Sequence, residues 1–159
     1  MLDNLKLTKN PVHHQQPCSM SCVPTCLAMA FDVEPEEIID DMAEMGIDIS
    51  NGMTSRAEHF YLSRKGIGSE RFLNNGCVGL LSGHYLAQVP SLNVTGFTHC
   101  VYLYIDSSYE MTALDPNMGK KGLAFYSSLL PRRLNMISAT RLDDFSDLIK
   151  PTPPTEDKK

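Results

Sequence analysis

Apolar and polar positions change their spacing partway along this chain, from a helical period in the first half to alternation in the second. The first helix is expected from Cys22 to about Phe31, with Ser21 as a side-chain N-cap and Pro24 in the first turn, where its missing N–H does no harm. A second spans Pro35 to Met45, with Ile38, Ile39, Met42 and Met45 on one side and Gly46 as its stop. A third runs from Thr54 to Lys65, where Ser55 and Glu58 fit a capping box and Gly66 ends the element. From Thr98 to Asp106, Val101, Leu103 and Ile105 alternate with Tyr102 and Tyr104, the pattern of a strand. Asp106-Ser107-Ser108 turns the chain into a second strand, Tyr109 to Leu114. Residues 123–127 and 134–140 are expected as further strands, Leu142 to Ile149 as a short helix, and Arg71 to Leu92 as loops with a short helix. Helices first and an antiparallel sheet afterwards make an α+β domain. Residues 1–12 read as a lead-in, and the Pro-rich, polar residues 151–159 as a disordered tail.

Composition narrows the function. The chain has 159 residues, enough for one domain with a core, and a net charge of −5. That balance argues against a nucleic-acid module, because phosphate contacts need clustered Lys and Arg, and the densest basic runs here are the pairs Lys120-Lys121 and Arg132-Arg133. No stretch approaches the ~20 apolar residues of a membrane helix. The start, Met1-Leu2-Asp3-Asn4-Leu5-Lys6, lacks the pattern of a secretory signal. A cytoplasmic location is therefore expected, with delivery into another cell left open. Five cysteines at 18, 22, 26, 77 and 100 are an odd number for a disulfide framework, so free thiols are expected, with Cys26, Cys77 and Cys100 in the core.

Cys22 stands apart from the others. It opens a helix, where unpaired N–H groups and the positive end of the dipole favour the anionic, nucleophilic thiolate. Gln16, six positions earlier, lies in a loop from which its amide can donate to a developing oxyanion alongside the N–H of Cys22. Among five histidines, His99 begins the clearest strand, on the parity of Val101, Leu103 and Ile105. Asp115 ends the next strand, and pairing through the 106–108 turn brings His99 and Asp115 to one sheet end. Asp115 then holds one ring nitrogen while the other serves Cys22 as base. Rival assignments are weaker. Cys18 lies in a loop before the helix. A zinc site from Cys18, Cys22 and Cys26 with His13 or His14 lacks a second ligand pair. His13 and His14 read as solvated, and His59 and His84 as surface or packing residues. Asp115 also suits a turn with Pro116 and Asn117, Asn117 then being the substitute orienter.

These residues resemble a known family. Gln16, Cys22, Leu27-Ala28-Met29, His99-Cys100-Val101-Tyr102-Leu103 and Asp115-Pro116 are similar to the pattern of papain-like peptidases that process bacteriocins by removing double-glycine leaders, usually as a domain fused to an ABC transporter. Gly52-Met53-Thr54 and Val89-Pro90 also fall where that family has similar segments, and the resemblance covers roughly residues 13 to 130. The family has Asp-Cys-Gly where this chain has Ser21-Cys22-Val23. The resemblance implies a papain-like catalytic domain over 13–150, with the Cys helix packed on a sheet carrying His and Asp. The implied activity is thiol-dependent amide hydrolysis of a peptide or protein substrate, with no metal or organic cofactor. Effectors that deamidate a host glutamine resemble the same fold, so deamidation is an alternative, and a non-catalytic peptide-binding module is another. The 45–53 loop and the 71–92 segment are expected to line the cleft. Oligomeric state is not indicated.

Overall fold

The structure is a computed structural model, described here for residues 1–73, 80–126 and 136–146. The expected tail at 151–159, residues 127, 134–135 and 147–149 of expected elements, and Cys77 lie outside the described residues.

Helix α1 (Cys22–Phe31) has the expected bounds and is buried at nine of its ten residues, which makes it the centre of the helical layer. Its start differs from expectation. The Ser21 side chain makes no capping bond. Its Oγ instead donates to the Cys18 carbonyl (2.8 Å) and accepts from the Cys18 N–H (3.1 Å). Ser21 thus tightens the 18–21 turn that feeds Cys22 into the helix, and its hydroxyl is not free to cap. Helix α2 (Pro35–Glu44) starts with Pro35 and a capping box between Glu34 and Glu37, and buries Ile38 and Met42. Helix α3 (Ser55–Arg64) is capped by Thr54, whose Oγ1 accepts from Ala57 N–H at 3.1 Å, rather than by Ser55. The register of that cap frees Glu58 to turn inward, where burial raises its carboxyl to about 7 against the opposing effects of a Thr140 bond and Arg71.

Five strands form one antiparallel sheet in the order β1-β5-β2-β3-β4: Gly68–Leu73, Gly83–Pro90, Thr98–Ile105, Met111–Leu114 and Ser138–Asp143 for β1 to β5. The third and fourth are the hairpin expected around residues 106–108. The segment expected as loops and a short helix instead carries β2 and the second half of β1. As a central strand β2 is covered on both faces, so its residues do not alternate, and His84 and Gln88 interrupt the apolar run. An edge position explains the polar character of β1. β5 takes Leu142 and Asp143, where a helix was expected, because they extend the ladder to β1 and β2. Residues 123–126 form no strand: the N–H groups of Ala124 and Tyr126 go to the side chains of Asn93 and Asp115 instead.

Both sheet faces are covered. Leu86, Cys100, Tyr102, Leu114 and Leu142 pack against α1, α2 and α3. Tyr85, Ala87, Val89, Val101, Leu103, Ile105, Ala113 and Ala139 form a second cluster. The lead-in residues pack onto the helices. A buried Asp41–Lys65 pair (2.6 Å) accepts and donates to Leu2, and Thr8 N–H reaches Ala30 O. Among the described residues, no helix is long and apolar enough to cross a membrane.

Candidate active site

The hairpin register places the two polar residues of the sheet end. Its last pair is Tyr102 with Leu114. Were the ladder to continue, Asp115 would stand opposite Val101, on the same face and diagonal to His99. The ladder stops there, and the carboxylate reaches the ring: His99 Nε2 lies 2.6 Å from Asp115 Oδ1. Both groups are buried, His99 at 9% exposure and Asp115 at 1%. Asp115 is held in turn by N–H donors, Asn117 to Oδ1 (2.8 Å) and Tyr126 to Oδ2 (2.7 Å). The two assignments weighed for Asp115 are therefore compatible: it shapes the turn through Asn117 and binds His99 as well.

With Nε2 engaged, the other ring nitrogen has no bond to Asp115, and His99 shares a cleft wall with Cys22. Burial disfavours the charged ring, but the bonds and charges of Asp115 and Cys22 outweigh it and push His99 up to about 9. That shift favours the charged ring at neutral pH. Cys22 is half-buried and opens onto a cleft of about 540 Å³, whose wall also includes Gln16, His99 and Asn117. Apolar wall positions come from Met20, Met53, Val94, Phe97 and Leu123. Of the expected cleft segments, 45–53 contributes Asn51, Gly52 and Met53, and 71–92 contributes Gln88 and Ser91.

Gln16 is at the site, but its amide is turned toward the chain. Its Nε2 donates to Cys18 O (2.9 Å) and Ser19 O (3.1 Å), while its buried Oε1 has no partner among the described residues. The other thiols are placed differently. Cys18 is exposed, and Cys26 is fully buried and donates to Cys100 O at 3.4 Å. Burial raises the Cys26 thiol, and Cys100 is raised well above the ordinary range by its bond to Cys26 and by burial. Cys18, Cys22 and Cys26 thus point to different surroundings, and no cluster of three or more metal-ligating side chains occurs among the described residues.

Two other histidines are drawn into the structure, one as expected and one not. His84 is buried and bonds Tyr102 Oη at 2.6 Å, a packing role. His13, expected in solvent, is half-buried with Nε2 2.7 Å from Asp115 O. No sequence signal linked these positions, since they are 102 residues apart.

No family model and no curated protein matches the chain. Among solved structures it is similar to the peptidase domain of Streptococcus ComA, described as a bi-functional ABC transporter involved in a quorum sensing pathway. The TM-score is 0.53 at 14% identity, over 81% of this chain and 95% of that chain. At this identity the likeness is one of fold. The chain has the α+β fold of a peptidase domain, in agreement with the resemblance carried by its motifs.

Proposed function

We propose that the chain is a cytoplasmic cysteine peptidase acting on a peptide or protein substrate, with Cys22 as nucleophile, His99 as acid and base, and Asp115 as orienter. One observation supports this reading: the His99 ring lies 2.6 Å from the Asp115 carboxylate, at the wall of a cleft that Cys22 also lines. The sulfur attacks the scissile carbonyl carbon, and the carbonyl π electrons move to oxygen. On collapse the C–N bond breaks, the leaving nitrogen takes the His99 proton, and an acyl thioester on Cys22 remains. Water then attacks that thioester, His99 accepts its proton, and the C–S bond breaks to release the acid.

The oxyanion is served first by the N–H of Cys22, which as the opening residue of α1 has no acceptor within the helix. Gln16 joins it by letting go of one loop carbonyl. Asp115 keeps the ring in the tautomer with hydrogen on Nε2 when His99 is neutral.

The test is the pH dependence of iodoacetamide labelling, mapped by mass spectrometry, on wild type and His99→Ala. Labelling of Cys22 at pH 6 well ahead of Cys18, and slowed by the His99 change, is the expected result. Equal, His99-independent labelling would remove the enzyme and leave a peptide-binding module. With a cleavable protein library, new chain termini are expected; ammonia release without cleavage would move the assignment to glutamine deamidation.

A further inference from the structure

The fourth strand stops pairing at Leu114, so Asp115 begins a stretch of backbone without a ladder partner. Its carbonyls nevertheless find donors, and three come from one distant segment. His13 Nε2 meets Asp115 O (2.7 Å), Gln16 N–H meets Pro116 O (3.0 Å), and Gln15 Nε2 meets Met118 O (3.2 Å). Lys120 Nζ returns a bond to Gln16 O at 3.0 Å. Gly119 fits this arrangement: its φ is +84°, and a Cβ there would stand 2.6 Å from Gln15 Nε2. Residues 13–16 therefore form a clasp that replaces the missing strand partner and carries Gln16 into the cleft with it.

We propose that His13 is a positioning residue for the Cys22–His99–Asp115 set: by donating to the Asp115 carbonyl it anchors the peptide from which the orienting carboxylate projects. The proposal rests on the cysteine-hydrolase assignment above. Since a carbonyl only accepts, His13 must carry its hydrogen on Nε2, which both the neutral Nε2–H tautomer and the imidazolium provide. The bond therefore does not require a charged ring. Its loss would free Asp115 O from one of its two donors, the other being Met118 N–H (2.9 Å), and let the buried carboxylate drift from His99. Displacements of this kind are costly: a misplacement of about 1 Å at a reacting group can cost about 100-fold in rate.

The test compares His13→Met and His13→Gln, similar in reach, of which only Gln keeps a donor. Labelling of Cys22 by iodoacetamide at pH 6 is read alongside thermal melting. The His13→Met variant is expected to label about tenfold more slowly than wild type. His13→Gln should recover most of that rate, with both variants melting alike. Met and Gln variants that label at the wild-type rate would overturn the positioning role while leaving Cys22 reactive. Equal slowing in both would overturn it too, since the donor would not matter. A wild type whose Cys22 labels no faster than Cys18 would instead sink the hydrolase assignment, and the positioning role with it.

Discussion

Cys22 and Cys26 stand one turn apart on α1; Cys22 shares a cleft wall with His99 of β3, and Cys26 donates to the carbonyl of the next residue, Cys100. The elements, the residue type and the helix are shared, yet the surroundings differ. At the helix opening the thiol is half-buried and faces a cleft whose wall includes the His99 ring. One turn deeper it is fully buried and touches a carbonyl and another thiol, and burial raises it. Burial penalises a charged sulfur at the deeper place. On the proposed assignment, reactivity would come from depth along one helix and from the neighbouring β3 residue, rather than from cysteine itself.

The largest effect that would test this contrast is on turnover. Cys22→Ala is expected to lower peptide cleavage by at least about 10⁴-fold, as loss of a nucleophile does. Cys26→Ala should leave kcat/KM within about threefold, since Cys26 lies behind the site, and comparable losses in the two variants would erase the distinction. Next is Asp115→Ala, which removes the partner of His99 and two turn contacts. A fall of about 100-fold in kcat with a smaller change in KM is expected, the scale of acid–base assistance. An unchanged kcat would leave His99 working unaided.

The third effect separates the two sites by pH. His99 in the folded chain titrates at about 9, above its ordinary value of 6.5. A group raised on folding adds stability that is complete below the unfolded value and disappears as pH rises through the folded one. The unfolding free energy from urea titrations should therefore decline between about pH 6.5 and 9, by on the order of 2 kcal/mol for a shift of this kind. His99→Gln should flatten that decline, whereas a slope that persists in the variant would assign it elsewhere. The smallest effect belongs to the deep pair: Cys26→Ala removes a buried sulfur and should cost about 1–2 kcal/mol in urea unfolding. Cys22 labelling should be indifferent to it, and a slowed rate would mean that the deep contact sets the shallow one.

Much of this site was legible because its signals are local. The bounds of α1 followed from its apolar run and the breakers around it, and β3 from its alternation. His99 and Asp115 came together in the reading because a short hairpin turn sets register, and register sets which residues share a face. Other elements were hidden for reasons equally physical. Central β2 lacks alternation because both its faces are covered, and its two polar residues looked like loop. Ser21 looked like a cap, but its hydroxyl has a nearer partner in Cys18.

The sequence by itself determined the helix that opens with Cys22, the hairpin carrying His99 and Asp115, and the charge and composition that set nucleic acid aside. Each depends on residues a few positions apart, whose periodicity and turn chemistry act before any long-range contact forms. Tertiary structure alone decided that Gln16 turns its amide to the 18–21 turn, that His13 reaches Asp115, and that Cys26 is sealed against β3. Those outcomes depend on which buried donors and acceptors remain unmet once distant segments pack. Burial makes every such group find a partner or bear the cost, and no local pattern records that demand.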